Sequence, residues 1–135
     1  MKERIKDKIA ELQQYLEELE NITPINFEEY LEDYKSRAAC ERYAEKIIET
    51  VIDIGFMIVK EKNLKQPSND LEVFDVLSDK NLISAELVKK LQDAKRMRNI
   101  LAHEYGVVND EIVFNAVKDE LPKDAREFIS CVEKG

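Results

Sequence analysis

Apolar residues recur every three or four positions along most of this chain, which is the spacing that places side chains on one face of an α-helix. The clearest stripe predicts a first amphipathic helix over residues 2–20. Its apolar members are Ile5, Ile9, Leu12, Leu16 and Leu19. Asn21, together with Thr23 and Pro24, is expected to end this helix, because proline cannot continue the backbone hydrogen-bond ladder.

A second, long helix is predicted over residues 27–62. It begins after Asn26. Glu29 stands three positions later, and this spacing is typical of helix capping. The stretch Ile47–Val59 is apolar on most sides, so this half is expected at the centre of a helical bundle. Gly55 within it costs about 1 kcal/mol relative to alanine. Two explanations of this glycine are equally possible: the close approach of a neighbouring helix, or a tolerated defect.

The rest of the chain predicts shorter helical segments. They are a short helix over about 71–78, a long helix over 85–105, a segment over 110–119 and a last helix over 124–133. Ser84 is expected to cap the long helix and Gly106 to end it, while Pro122 closes the segment before the last helix. Without any strand pattern or repeat, we expect an all-α, up-and-down bundle of four to five helices in one domain, 1–135.

The composition agrees with this picture. Apolar residues make up 44% and charged residues 37% of the chain, with only three glycines and three prolines. No apolar run reaches the length of a membrane span, and the N-terminus lacks the apolar core of a signal peptide, so a cytoplasmic location is expected. Cys40 and Cys131 show no metal-type spacing and are expected to be free, buried thiols.

Charge is distributed unevenly along the chain. The formal net charge is −8, and residues 1–34 alone carry a balance of −6. Residues 89–98 hold five basic groups against Asp93, a balance of +4. Because nucleic-acid binders present a basic face, Lys95 and Arg96 are candidate RNA contacts. A solvated helix face is the alternative interpretation of such a run.

The basic run leads directly into the stretch richest in chemistry, which holds Arg98, Asn99, His103 and Tyr105. Histidine can transfer a proton near neutral pH, and a planar guanidinium can bind two phosphate oxygens at once. This pair therefore suits a ribonuclease that works without metal: His103 moves a proton and Arg98 stabilises charge on phosphorus. Asn99 is a supporting candidate that could orient the phosphate or the imidazole.

The spacing limits how these groups can meet. Five residues correspond to about 140° around a helix, so one straight helix does not bring Arg98 and His103 together. A bend, the long arginine side chain or a second copy across a two-fold axis must complete the site, and the dimer is the simplest solution. Structural roles stay open: His103 could face the helix dipole, Arg96 and Arg98 could pair with carboxylates, and Tyr105 could be an aromatic at the core edge.

The string RNILAHEY, with Arg98, His103 and Tyr105 in the order R-x4-H-x-Y, resembles the signature of HepT-type proteins in the HEPN superfamily. The predicted order of helices resembles that family over nearly the whole chain. The resemblance implies a HEPN-like fold and homodimers whose two motifs face a shared cleft. It also implies a toxin that cuts RNA with Arg98 and His103 and needs no metal or cofactor.

The same resemblance implies a protein partner. Proteins similar to this one are paired with an MntA-type minimal nucleotidyltransferase, an antitoxin that adds AMP units to the motif tyrosine, here Tyr105. The main alternative is a helical subunit that binds a nucleotide or substrate and docks with such a transferase. A helical interaction protein without chemistry is a third possibility.

Overall fold

The computed structural model describes residues 1–103 and 108–135, with His103 described by its backbone. All regular structure in this part of the chain is helical, which confirms the predicted all-α bundle. The elements are α1 (Glu3–Ile22), α2 (Phe27–Glu32), α3 (Tyr34–Glu61), α4 (Asp70–Asp79), α5 (Ala85–His103), α6 (Asp110–Asn115), a π-helical stretch (Ala116–Glu120) and α7 (Leu121–Lys134). The expectations that a helix extends to residue 105 and ends at Gly106 lie outside the described residues.

Helix α3 occupies the centre of the bundle, as its apolar pattern predicts. It contacts α1, α2, α4, α5 and α7. Its buried side chains are Cys40, Ala44, Ile47, Ile48, Thr50, Val51, Ile52, Ile54, Ile58 and Val59. Even so, no helix in residues 1–103 and 108–135 is long and apolar enough to cross a membrane.

Helix α1 covers one side of α3 with its predicted apolar stripe, of which all five members are buried. The helix continues beyond the predicted end, because Asn21 and Ile22 are still helical. It stops at Thr23, whose hydroxyl donates a 2.6 Å hydrogen bond to the carbonyl of Leu19. Pro24 follows. The prediction that Thr23 and Pro24 end the helix was therefore correct, and the prediction that Asn21 contributes to its end was wrong.

The prediction of one continuous helix over 27–62 was wrong, because the backbone leaves helical geometry at Asp33 (φ −104°, ψ 92°). The Asp33 carboxylate caps α3 by accepting hydrogen bonds from the backbone N–H groups of Lys35 and Ser36. The Ser36 hydroxyl donates a further 2.8 Å bond to it. These hydrogen bonds hold the pKa of Asp33 below its usual value. The break lets α2 turn and place Tyr30 against Phe114 of α6.

The expectation that Pro122 interrupts the last part of the chain was also wrong. Helical structure runs on from α6 through the π-helical stretch into α7, and Pro122 lies in the first turn of α7. Proline is tolerated there because its missing N–H and its ring fit the start of a helix. The wider π turn precedes it and shifts the backbone register.

Gly55 marks the closest approach of two helices. A Cβ atom added to it would lie 3.2 Å from Val73 Cγ2 and 3.7 Å from Leu77 Cδ1, both on α4. A side chain here would push α4 away from α3. This contact favours close helix packing over a tolerated defect as the reason for the glycine.

The two cysteines are free thiols in different surroundings. Cys40 is fully buried, with its Sγ 3.8 Å from the Thr23 hydroxyl, and burial raises the pKa of this thiol. Cys131 on α7 is only partly buried. The expectation of two buried thiols therefore holds for Cys40 alone.

Replacing Asp33 with alanine should lower the urea midpoint of unfolding at neutral pH, because α3 loses its cap. The folded pKa of Asp33 lies below the unfolded value of about 3.9, so the stabilisation is complete above that value and disappears as the pH falls through the folded pKa. The difference between wild type and Asp33→Ala should therefore shrink in acid. Asp33→Asn keeps the cap and should stay near wild type at neutral pH.

Candidate functional site on helix α5

Every candidate site residue that the structure describes lies on helix α5. Ser84 caps it, as predicted, by accepting a 3.1 Å hydrogen bond from the backbone N–H of Leu87. Its apolar stripe also follows the prediction: Leu87, Leu91 and Leu101 are buried, and Ala94 and Met97 are partly buried. The helix contacts α3, α4 and α7, so its position is fixed from several sides.

Three polar side chains of α5, which we call the polar seam, tie it to α3 and α4: Gln92, Lys95 and Arg98. Gln92 Nε2 donates to the carbonyl of Leu71 at 2.9 Å and to Asp75 Oδ2 at 3.1 Å. Lys95 Nζ lies 3.1 Å from Asp70 Oδ2, at the start of α4. Arg98 Nη2 donates to Oε1 of Glu49 on α3. Lys95 and Arg98 of the basic run are therefore paired with carboxylates of α4 and α3.

Arg98 is partly buried, with 20% of its side chain exposed, and Glu49 is 41% exposed. The Arg98 Nε atom is buried and has no hydrogen-bond acceptor among the described residues. Arginine carries five N–H donors, and the contacts among the described residues engage one of them, on Nη2. The possibility that Arg98 pairs with a carboxylate is realised, and within the described part of the chain donors suited to a phosphate are left.

The two candidate RNA contacts differ sharply in exposure. The Lys95 side chain is only 11% exposed and its ammonium faces Asp70, so it is held inside the fold. The Arg96 side chain is 57% exposed and pairs with Asp93 one helical turn before it, at 3.0 Å. Exposed pairs of this kind are weak and exchange readily with other anions. Arg96 is therefore open to a phosphate backbone, and Lys95 as placed is not.

The remaining candidates cluster at the end of α5. Asn99 follows Arg98 directly and is partly buried. The backbone of His103 is the last residue of α5, while its side chain and all of Tyr105 lie outside the described residues. Their proposed roles therefore stay predictions from the sequence.

Carboxylates line the side of the seam formed by α3 and α4. Asp53 lies one turn after Glu49, and burial raises the pKa of its carboxyl. Lys8, 3.9 Å away, opposes this rise, whereas the negative charges of Glu49 and Asp70 add to it. Sequence reasoning missed Glu49 and Asp70 as partners of the basic run. The excess of acid was visible, but no local pattern pairs groups so far apart in the chain.

An apolar groove of about 420 Å³ runs along the other side of α5, between this helix and the α6–α7 segment. Ala94, Met97 and Ala116 line it, together with Ile112, which is 60% exposed. Asp124 at its edge is buried, and that burial raises the pKa of its carboxyl. This side of α5 thus offers apolar area that is edged by charged side chains of both signs.

Comparison with known proteins shows similarity to HepT-type ribonucleases. The profile of the family described as "Ribonuclease HepT-like" matches residues 12–132. The chain is 26% identical to a tRNA nuclease HepT of Aphanizomenon flos-aquae, over 84% of this chain and 77% of the relative. It is 25% identical to an mRNA nuclease HepT of Shewanella oneidensis, over 98% of each chain.

A solved structure shows the same fold. The tri-AMPylated HEPN toxin of Shewanella oneidensis, in complex with MNT antitoxin, superimposes with a TM-score of 0.93. The match covers 100% of both chains at 24% sequence identity. This likeness confirms the expected HEPN-like architecture.

Whether Lys95 serves the fold or a ligand can be measured by a double-mutant cycle with Lys95→Met, Asp70→Asn and the combined variant. We expect a coupling free energy of about 1 kcal/mol, because Asp70→Asn leaves the largely buried ammonium without its carboxylate and Lys95→Met leaves Asp70 without its cation. Urea unfolding of the four proteins provides the values. A coupling near zero would mean that Lys95 is not held by Asp70 and is available to RNA.

Proposed function

The chain belongs to the ribonuclease HepT-like family, and on that basis we propose that it is the toxin of a toxin–antitoxin pair, cutting RNA with Arg98 and His103 without a metal ion. The observation that carries the proposal is the family match over residues 12–132, which includes the complete R-x4-H-x-Y motif. The nuclease names of two relatives support the same activity.

The proposed reaction needs two proton transfers and the stabilisation of charge on the phosphate. The ribose 2′ hydroxyl loses its proton and attacks phosphorus, which forms a 2′,3′-cyclic phosphate, while the bond to the 5′ oxygen breaks and that oxygen takes up a proton. His103 either removes the 2′ proton or protonates the leaving 5′ oxygen, since an unperturbed imidazole has a pKa of about 6.5, and water carries the other proton. Arg98 neutralises the charge that develops on the phosphoryl oxygens, using the donors that Glu49 leaves free.

We assign the complete site to a homodimer. The helical spacing separates Arg98 and His103 by about 140°, so a second copy of the motif across a two-fold axis supplies the missing direction. Exposed apolar side chains on and beside α5 support this arrangement, because Ile100 and Ile112 both face solvent in the single chain. A partner protomer would cover such area.

RNA would meet a protein of net charge −8, in which residues 89–98 on α5 carry a balance of +4. Arg96, and Asn99 beside Arg98, are the described residues best placed to contact the strand. The acidic α1 region opposes RNA binding elsewhere, which confines the strand to the cleft. We place the protein in the cytoplasm, where its RNA substrate occurs.

The proposed antitoxin is an MntA-type nucleotidyltransferase that transfers AMP to Tyr105. Each added phosphate places negative charge and bulk two residues from His103, and both repel an RNA strand. The description of the Shewanella oneidensis relative, an AMPylated HEPN toxin bound to MNT antitoxin, supports this control.

A helical subunit that completes a nucleotidyltransferase is the alternative function. The complex formed by that relative also suits a docking role, and so does the pairing of Arg98 with Glu49. The two functions differ in one outcome, because only the ribonuclease acts when the chain is isolated from any transferase.

His103→Ala should abolish the growth inhibition caused by expressing the chain in cells that lack a partner transferase, because the proton-transfer group is lost. The variant should still fold and dimerise, which circular dichroism and light scattering check. Ser130→Ala, at an exposed position on α7, is the matched control and should remain toxic. A toxic His103→Ala protein would contradict the catalytic assignment.

Co-expression with an active partner transferase should add mass to the chain in multiples of one AMP, all of it on Tyr105. Intact-mass and peptide-level mass spectrometry measure the number and the position. Tyr105→Phe should gain no mass and should remain toxic beside the transferase, since it lacks the acceptor hydroxyl. Modification at another tyrosine, such as the exposed Tyr34, would refute the assignment.

A further inference from the structure

The ion pair between Arg98 and Glu49 joins the proposed catalytic helix to the central helix of the bundle. The two residues are 49 positions apart in the chain, yet Arg98 Nη2 donates directly to Glu49 Oε1. The same guanidinium has its Nε buried against the protein. Nη2 is thus held by the ion pair and Nε is enclosed by the protein, so the guanidinium is restricted on two sides.

Such a constraint matters because a free arginine side chain samples many rotamers. Catalysis by charge stabilisation requires the guanidinium to be in place before the transition state forms. Groups held by a second, packed residue meet that requirement better than groups that rely on their own flexible stem. Glu49 projects from α3, the most completely packed helix, so its backbone offers a rigid anchor.

We propose that Glu49 is a positioning residue for Arg98: it fixes the guanidinium so that the remaining donors meet the scissile phosphate. This inference rests on the proposed ribonuclease function. Glu49 itself touches neither substrate nor reacting atoms.

The anchor has an opposing electrostatic effect. A carboxylate beside Arg98 reduces the positive potential that an RNA phosphate meets, and Asp53, one turn further along α3, adds to the negative charge. Glu49 is thus expected to favour the chemical step while weakening RNA binding. The two effects can be separated, because glutamine keeps an oxygen acceptor at the same reach without the charge, whereas alanine removes both.

The test compares Glu49→Ala and Glu49→Gln with wild type in steady-state RNA cleavage. Glu49→Ala should lower kcat about 100-fold without raising KM, as expected for a misplaced catalytic group. Glu49→Gln should retain most of kcat and lower KM. Glu45→Gln is the matched control, since Glu45 lies one turn earlier on α3 and pairs with Arg42 instead; it should behave as wild type.

A second readout does not depend on cleavage. The NMR signal of the Arg98 Nε–H group, assigned by its disappearance in Arg98→Lys, should exchange slowly with water in wild type because Nε is buried. The slow exchange should be lost in Glu49→Ala and kept in Glu49→Gln. If wild type cuts no RNA, the proposed function fails, and this signal alone decides whether Glu49 positions Arg98.

Three results would overturn the inference. One is a Glu49→Ala protein whose kcat or Nε–H exchange matches wild type. Another is equal loss of activity and thermal stability in both variants, which would make Glu49 a purely structural residue. If Glu49→Ala does not fold, Glu49→Gln decides, and a KM equal to or above that of wild type contradicts the proposal.

Discussion

The burial of α3 is the constraint on which the rest of the structure depends. From Ala44 to Val59 this helix presents apolar side chains in nearly every direction, so it must be surrounded. Each isoleucine or valine that leaves water there contributes roughly 1.5–3 kcal/mol. Helices α1, α4, α5 and α7 supply the cover, and Gly55 allows α4 to come close enough to complete it.

This constraint also explains the location of the candidate site. Helix α5 buries an apolar stripe from Leu87 to Leu101 in the core. Its polar seam contacts α4 through Gln92 and Lys95 and α3 through Arg98. Partly exposed ion pairs add little stability, so packing fixes the helix while the seam fixes the directions of the charged groups. Arg98 consequently lies at the edge of the core, largely withdrawn from water and still able to donate.

The fold class, the buried stripes and the family signature could be predicted from the sequence, because each depends on local spacing or on an unusual string of residues. The sequence did not reveal the break at Asp33, since a helix-compatible stretch surrounds it. The capping of α3 by the Asp33 carboxylate, which accepts from Lys35 and Ser36, becomes evident only with the backbone in view. Pro122 was misread for a related reason: the rule that proline ends a helix fails in a first turn.

The carboxylates that pair with the basic run could not be predicted from the sequence. Nothing local indicates that Lys95 faces Asp70 or that Arg98 faces Glu49, because these contacts arise from the packing of α5 on α3 and α4. The pattern of charge indicated a basic face. In the fold, Lys95 and Arg98 of that run are drawn inward, whereas Lys89 and Arg96 stay exposed.

The central claim, a metal-independent ribonuclease built on Arg98 and His103, is tested most directly by RNA cleavage in the presence of EDTA. The protein must come from cells without a partner transferase, so that Tyr105 is unmodified, and must be compared with Arg98→Ala and His103→Ala. Cleavage by wild type and its loss in both variants is the predicted result. No cleavage by the unmodified, folded dimer across varied RNAs would contradict the account and favour the docking subunit.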